Sequence, residues 1–376
     1  MVDLPAMGSV SLLPKATPKQ TAVRAYATEA GYVLENDSVK LVINDQGEVS
    51  SMIDKELGIS RIGAASNRFH LYRDIPRYYE AWDIDSQTEE REVFPEKNVS
   101  VEIVCEEGLR AAIRVTTEIS ASRIEQIISL DAEAKRVDFD TQVDWQERHR
   151  LLKVSFDTGI DALLAANQIQ FGYIERPNHR SDVWEKDRFE VCNHEYTALY
   201  DATHGAALLN DSKYGVSMKK GVIGLSLLRA STNPDPVADI GEHQFKYSYY
   251  YWDGSFADSD VVWEAGVLNN EIRLSKGCSA KRSFFDVSDS CVVLETVKLA
   301  EDGSGDMIVR LYEAMNGSRR VSLTSALSIA KAYRCNMLEE IEDEVVIDEG
   351  RMEIGFKPFE IVTLRFKKGV EGNDVE

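Results

Sequence analysis

The 376-residue sequence predicts an all-β protein in which a large antiparallel β-sandwich is followed by a smaller β-sandwich. Apolar and polar residues alternate along much of the chain, short polar turns separate the alternating segments, and amphipathic helical patterns are scarce. The length exceeds what one ordinary core needs, so two domains are expected.

The clearest alternation runs from Val137 to Trp145, where apolar residues and one threonine alternate with aspartate and glutamine. This pattern places one face of a strand in a core and the other in water. Two hairpins are predicted, each with turn residues between two alternating segments: 39–43 with 49–53, and 99–105 with 109–119. A helical turn or two is predicted over Asp161–Asn167.

The domain boundary is predicted near Ser275-Lys-Gly-Cys278, where the composition changes. Strands of the smaller sandwich are predicted at 291–298, 307–312, 344–347 and 359–366. The resulting organisation has four parts: a linker at 1–30, the large sandwich at 31–274, the small sandwich at 275–368 and a disordered tail at 369–376.

Composition excludes several classes of partner. The formal net charge of -21 repels phosphate, so neither nucleic acid nor an anionic membrane is an expected partner. No apolar stretch is long enough to cross a bilayer, and the first residues lack a secretory signal, so a cytoplasmic location is expected. The five cysteines show no Cys-x-x-Cys spacing, which indicates neither a disulfide framework nor a zinc knuckle.

The run from Ile169 to His179 is the first candidate for a binding site, because acidic, basic and aromatic residues stand together in it. Glu175, Arg176 and His179 suit a polyhydroxylated ligand. Pro177 breaks regular helix, so Glu175 and His179 are not an i, i+4 metal pair. Chemistry alone leaves a second interpretation open, in which the charged pair simply satisfies neighbours in a buried loop.

Two further clusters mix carboxylates with aromatic residues or a histidine. In 76–85, an extended backbone would place Asp83 and Asp85 on one face and Trp82 on the other. The two carboxylates could accept hydrogen bonds from sugar hydroxyls, and carboxylate pairs are also what glycoside hydrolysis uses. In 233–243, a loop with two prolines carries Asp239 and His243 into an aromatic strand. The alternatives are an exposed polar edge for the first cluster and ordinary turn chemistry for the second.

These clusters occur in an order that resembles the C-terminal half of glycoside hydrolase family 38, the class II α-mannosidases. The resemblance rests on collinear strings: Ala81-Trp-Asp-Ile-Asp85, Val143-Asp-Trp-Gln-Glu-Arg-His149, Ile169 to His179, Arg188-Phe-Glu-Val191, Ala207-Leu-Leu-Asn-Asp-Ser-Lys-Tyr-Gly215, Pro234 to His243 and Pro358-Phe-Glu-Ile361. Tyr79-Glu80 and Ser181-Asp-Val183 depart from the family pattern, which puts individual sugar contacts in doubt.

The resemblance implies a retaining hydrolase of α-linked mannose that uses one zinc ion, and a large sandwich of the supersandwich, galactose-mutarotase-like type. It also implies that the nucleophile, the acid/base residue and the zinc ligands lie in an N-terminal catalytic barrel outside this chain. The chain itself is therefore expected to hold no catalytic residue and no metal or other cofactor, and to be inactive alone. A mannose-containing oligosaccharide and the barrel are its expected partners.

The predicted substrate-binding residues are those that would form one wall of the mannose pocket: Trp82, Asp83, Glu175, Arg176, His179, Asp239 and His243. Docking against a barrel implies an exposed aromatic surface. Two other functions stay open, a self-contained carbohydrate-binding module and an aldose-epimerase-like enzyme, the second on fold analogy alone. The sequence leaves the oligomeric state open, a homo-oligomer included.

Overall fold

A computed structural model of the chain describes residues 8–10, 22–270, 272–277 and 281–369. About 54% of the chain is strand and 6% helix, which confirms the predicted all-β class. In chain order the strands are β1 Gly8–Ser9, β2 Val23–Thr28, β3 Gly31–Glu35, β4 Val39–Ile43, β5 Val49–Asp54, β6 Ile59–Ser60, β7 Arg68–Arg73, β8 Glu92–Val93, β9 Lys97–Cys105, β10 Glu107–Gly108, β11 Arg110–Ile119, β12 Ser122–Asp131, β13 Val137–Trp145, β14 Arg150–Asp157, β15 Leu164–Ile169 and β16 Gly172–Pro177.

The second half continues with β17 Val191–Cys192, β18 Tyr196–Tyr200, β19 His204–Asn210, β20 Gly215–Lys219, β21 Val222–Arg229, β22 Gly241–Asp253, β23 Arg282–Ser283, β24 Phe285–Val287, β25 Val292–Leu299, β26 Met307–Glu313, β27 Arg319–Ser325, β28 Ile329–Cys335, β29 Ile341–Val345, β30 Arg351–Phe356 and β31 Ile361–Lys368. The described helices are α1 Val183–Asp187 and α2 Val261–Asn269, with 3₁₀ turns at Ser86–Glu90 and Phe256–Asp258. No helix among the described residues is long and apolar enough to span a membrane.

The chain divides into two compact units. The larger unit takes the described residues 22–169 and 174–270, and the smaller unit takes the rest, including 170–173. The hairpin turn after β15 therefore belongs to the smaller unit, where Phe171 packs edge-on against Tyr312 and Tyr173 against Phe359. Gly172 is required in this turn, because a Cβ there would lie 2.5 Å from Cδ1 of Phe359.

The larger unit is a sandwich of antiparallel sheets. In the described residues, a nine-stranded sheet has the order β16-β15-β18-β19-β22-β13-β12-β11-β9, and two six-stranded sheets have the orders β17-β20-β21-β14-β7-β8 and β10-β2-β3-β4-β5-β6. One apolar core joins residues of all three sheets. Phe156 of β14 stacks on Tyr249 and meets Phe139 edge to face, and these contacts with the nine-stranded sheet fix one sheet on the other.

The smaller unit is a second sandwich. In its described residues, a three-stranded sheet, β24-β27-β30, packs on a five-stranded sheet, β25-β26-β31-β28-β29, around a separate core. Strands β1 and β23 pair with each other. The order of a large sandwich followed by a smaller one is as predicted.

The strand and hairpin predictions hold where burial alternates. Val137, Phe139, Thr141, Val143 and Trp145 are all buried, while the residues between them reach the surface. The predicted hairpins form as β4 with β5 and as β9 with β11.

Three expectations need correction. The segment Asp161–Asn167 is not helical, because Ala165 to Asn167 pair with β18 and the Asn167 amide donates to Thr197 Oγ1 at 2.9 Å. The segment 76–85 is not extended, because it folds into a turn around Tyr79. Residues 23–28, placed in the linker by the sequence, form β2 and pair with β3. Residues 1–7 and 11–21 of the predicted linker, residues 370–376 of the predicted tail, and Cys278 lie outside the described residues.

Candidate binding surface on two loops

The first loop of the candidate site, residues 74–91, follows β7 and carries Trp82 and Asp83. Tyr79 has a positive φ of 52°, and its carbonyl accepts the backbone N–H groups of Trp82 at 2.7 Å and Asp83 at 2.8 Å. Because of this tight turn, the segment does not have the extended backbone that would place Asp83 and Asp85 on one face. The Trp82 side chain is therefore carried outward and is 72% exposed.

Arg229, at the end of β21, holds this loop against the sheet. Its Nε donates to Oδ2 of Asp74 at 2.6 Å, and its Nη2 donates to the backbone oxygen of Asp83. Glu80 adds a second anchor, because its Oε1 accepts the backbone N–H of Thr232 at 2.8 Å and lies 2.8 Å from Nδ1 of His149. The loop is thus fixed by buried or half-buried charged groups, although its aromatic side chains face outward.

The second loop, residues 178–190, contains α1 and the predicted residue His179. Asp182 caps α1 by accepting the Glu185 N–H at 2.8 Å, and the Glu185 carboxylate accepts the N–H groups of Ser181 and Asp182 in return. The same carboxylate lies 3.2 Å from Nδ1 of His179. This capping box orients His179 and leaves Trp184 exposed on α1.

An ion pair joins the two loops. The guanidinium of Arg180 contacts both carboxylate oxygens of Glu89, with 2.9 Å between Nη2 and Oε1, and Nη2 also donates to the Phe189 carbonyl at 3.3 Å. Large aromatic side chains on or beside the joined loops are exposed: Tyr78, Tyr79, Trp82, Phe94 and Trp184. They give the larger unit the kind of exposed aromatic surface that a docking face or a sugar-binding face requires.

A buried polar cluster lies beneath the second loop. Lys153 of β14 is 5% exposed, and its ammonium donates to Glu190 Oε2 and, at 2.9 Å, to Ser217 Oγ. Ser226 Oγ donates to the other oxygen of Glu190. Glu190 thereby ties the end of the loop directly to β14 and β21, and through Lys153 to β20 of the same sheet.

Tyr72 and His70 extend this polar face along β7. Burial, reinforced by the carboxylates of Glu92 and Glu89, raises the pKa of Tyr72. His70 bridges Glu92 Oε1 and Ser155 Oγ, each at 2.7 Å, and burial lowers its pKa.

The other predicted residues lie on strands and on a third loop. Glu175 is exposed on β16 and accepts the Tyr200 hydroxyl at 2.7 Å. Arg176 donates to the carbonyl of Cys192 at 3.0 Å, and burial lowers its pKa. Asp239 has a φ of 60°, and its carbonyl lies 2.7 Å from Nε2 of His243.

Of the seven predicted residues, Asp239 and His243 share a hydrogen bond within the described chain. Glu175, Arg176 and His179 follow one another along a single segment, and Trp82 and Asp83 share the first loop. Sequence reasoning missed the residues that position them, namely Asp74, Glu80, Glu89, Lys153, Arg180, Glu190 and Arg229. A signal existed for Lys153, because a charged residue interrupts the apolar run Leu151 to Val154.

The zinc ion that the resemblance implies needs His, Cys, Asp or Glu side chains that converge on one point. Within residues 8–10, 22–270, 272–277 and 281–369, no three such side chains do so. The described residues therefore do not fit a zinc ion, and no chemical step through zinc is derived from them.

Comparison with known proteins gives two family matches. The Glycosyl hydrolases family 38 C-terminal domain matches residues 34–237, and the Glycosyl hydrolases family 38 C-terminal beta sandwich domain matches residues 291–364. Fold and matches together define a sandwich region of a glycoside hydrolase. The chain belongs to glycoside hydrolase family 38, and it corresponds to the C-terminal domains of that family.

Relatives and solved structures agree with this family. The chain is 33% identical over 381 residues to alpha-mannosidase 2C1 of Homo sapiens, covering 97% of this chain and 37% of that protein. It is 34% identical over 370 residues to alpha-mannosidase G of Dictyostelium discoideum, covering 92% of this chain and 33% of that protein. A crystal structure of an alpha-mannosidase from Enterococcus faecalis V583 shares the fold, with a TM-score of 0.72 at 17% identity, covering 91% of this chain and 43% of the other.

The chain thus spans about a third of the length of the curated relatives that it matches.

Proposed function

We propose that this chain is the C-terminal part of an α-mannosidase that hydrolyses α-linked mannose from oligosaccharides, and that its two joined loops form one wall of the mannose pocket. Family membership supports the reaction class. The assignment of the two loops to one wall of the pocket rests on the Arg180–Glu89 ion pair, which holds these loops and their exposed tryptophans together.

The chemistry of the loops suits a pyranose. Trp82 and Trp184 offer apolar ring faces, on which the C–H face of a sugar stacks. The carboxylates of Asp83 and Glu175 accept hydroxyl protons, whereas Arg176 and His179 donate to hydroxyl oxygens. Asp239 and His243 would extend the wall if the third loop faces the same ligand. None of these residues acts as the nucleophile in this proposal.

The carboxylates that cleave the bond come from a catalytic barrel in the full-length enzyme, and zinc belongs to that barrel. A retaining glycosidase needs two carboxyl groups about 5–5.5 Å apart, placed on either side of the scissile bond. This chain's own residues position the sugar and exclude water from one side of it. A cytoplasmic location remains a prediction of the sequence.

The test of this proposal is hydrolysis of an aryl α-mannoside. The 376-residue chain with added zinc should show no turnover, whereas the full-length enzyme should cleave the substrate. Enzymatic turnover by the chain alone would contradict the proposal. Calorimetric titration of the chain with mannose and short mannosides tests one of the two alternatives, since micromolar binding would indicate a self-contained carbohydrate-binding module; the relatives favour neither alternative.

A further inference from the structure

A small polar cavity lies in the larger unit, away from the seven predicted residues. Its volume is about 190 Å³, and one side is open to solvent. It is built where the end of β15, the turn before β18, the turn after β19 and the last residue of α2 meet. It contains none of the residues assigned to the pocket wall.

The frame of this cavity is held by hydrogen bonds between side-chain amides and the backbone. Asn210 donates to the His194 carbonyl at 2.7 Å and accepts the Lys213 N–H at 2.7 Å. Gln168 Oε1 accepts the Glu195 N–H at 3.0 Å. Asn269 Nδ2 donates to the Asn210 and Ala265 carbonyls at 3.1 and 3.0 Å. Side chains that are already oriented lose little entropy when a ligand binds.

Several polar atoms of the lining retain unused bonding capacity. In the part of the chain that the structure describes, the amide nitrogen of Gln168, the amide oxygen of Asn269 and the hydroxyl of Tyr214 have no hydrogen-bond partner. The same holds for the ring nitrogens of His194. The cavity therefore presents donors and acceptors side by side, as vicinal hydroxyl groups require.

An aromatic surface completes one side. The Tyr214 ring is 56% exposed and lies 5.2 Å from the His194 ring at a tilt of 58°. The face of Tyr214 that is turned to solvent can stack on the C–H face of a pyranose.

Charge decides between ligand classes. Glu195 and Asp211 both line the cavity, and carboxylates repel phosphate, sulfate and acidic sugars. Asp211 is partly engaged, because its Oδ2 accepts the Lys246 N–H at 3.0 Å and its Oδ1 accepts the Ser212 hydroxyl at 2.8 Å. No three potential metal ligands converge among the described residues, which disfavours a cation. A neutral polyol fits both the charge and the mixture of donors and acceptors.

We propose that this cavity binds one neutral hexose unit of an oligosaccharide, as a sugar site separate from the pocket wall. The argument for a sugar rests on the lining itself, while the choice of mannose as the probe rests on the proposed function. A single hexose held by a few hydrogen bonds and one ring corresponds to a Kd in the millimolar range.

The test is a titration of the whole 376-residue chain with methyl α-D-mannopyranoside, methyl α-D-glucopyranoside and methyl β-D-galactopyranoside. Binding of each sugar is monitored by saturation-transfer NMR. Tyr214→Ala and Gln168→Ala should each lower the affinity for the tightest-binding of the three sugars by at least about fivefold. Tyr214→Phe should keep most of the affinity, since the ring remains. Trp263→Ala is the control, an exposed aromatic residue on α2 that belongs neither to the cavity lining nor to the two loops of the pocket wall.

A second readout uses the unsubstituted chain, so it does not depend on whether a variant folds; a variant is needed only to assign the signals. The ring protons of His194, assigned by comparison with His194→Gln, should shift on sugar addition, while those of His179 should not. The inference is overturned if none of the sugars binds, if Trp263→Ala weakens binding as much as Tyr214→Ala does, or if Ca²⁺ or Mg²⁺ alone shifts the His194 signals. Because hydrolysis by the full-length enzyme is measured separately, failure here leaves the proposed function standing.

Discussion

Arg180 and Glu89 lie 91 residues apart in sequence and form a two-point ion pair between a guanidinium and a carboxylate. Both side chains are largely shielded, at 12% and 28% exposure. Two parallel charge-assisted hydrogen bonds define orientation as well as proximity. The pair therefore determines how the first and second loops face each other.

Breaking this pair should loosen the loops more than the sandwich. We expect Arg180→Ala to lower the free energy of unfolding by about 2 kcal/mol, because a charge-assisted contact is lost and Glu89 is left without its partner. Urea denaturation measures the loss, and hydrogen exchange should rise in residues 74–91 and 178–190 first. In a double-mutant cycle with Glu89→Ala, purely additive losses would show that the two side chains are not coupled.

Lys153 and Glu190 form a more buried pair, and its disruption should cost more. We expect Glu190→Gln to destabilise the chain by about 3 kcal/mol, because the Lys153 ammonium keeps its charge in a site that is 5% exposed. Lys153→Met combined with Glu190→Gln should cost less than the sum of the single changes, since no unpaired charge remains. Equal stability of Glu190→Gln and the parent chain in urea would contradict a buried pair.

His70 should give stability a dependence on pH. Its ring contacts Glu92 and Ser155, and Arg68 and Lys97 also act on it, while burial lowers its pKa below the usual 6.5. The unfolded chain therefore binds the proton at higher pH than the folded chain does. The stabilising contribution is present above pH 6.5 and is lost as the pH falls through the lowered folded pKa.

Urea titrations between pH 7 and pH 5 measure this slope. His70→Gln keeps a side chain that can bond to Glu92 or Ser155 but cannot titrate. In this variant, we expect the free energy of unfolding to lose the part of its pH dependence that comes from protonation of His70. An unchanged slope would mean that the ring takes up its proton equally in both states.

The exposed tryptophans should matter for activity and hardly for folding. Trp82→Ala and Trp184→Ala should change the free energy of unfolding by no more than about 0.5 kcal/mol, because both rings lie largely in solvent. In the full-length enzyme each change should lower kcat/KM for an aryl α-mannoside by about fivefold, the loss of one stacking contact. Trp263→Ala, an equally exposed tryptophan on α2, is the control and should leave kcat/KM unchanged.

The accuracy of the sequence prediction differed between local and long-range features. Alternation from Val137 to Trp145 predicted which side chains are buried, because the two faces of a strand differ every second residue. The helical turn over Asp161–Asn167 was wrong, because pairing with β18 overrode local preference. Hydrogen bonds to a neighbouring strand cannot be recognised in seven residues of sequence.

The candidate site shows the same contrast between local features, which the sequence predicted, and long-range contacts, which it did not. The motif strings predicted which loops carry the aromatic and acidic side chains, but not what holds those loops in place. Glu89 and Arg180 look like ordinary surface charges in sequence, and Asp74 and Arg229 are 155 residues apart. Such partners can be recognised only once the strand register, and with it the position of each loop, is known.

The sequence by itself determined the all-β class, the order of the two sandwiches and the family, because alternation, turn residues and motif strings are local properties. The tertiary structure alone decided that the Tyr79 turn exposes Trp82, that Arg180 joins two distant loops, and that Gln168, His194, Tyr214 and Asn269 line one cavity. The physical reason is that side chains far apart in sequence become neighbours only after burial of the apolar core fixes the strand register.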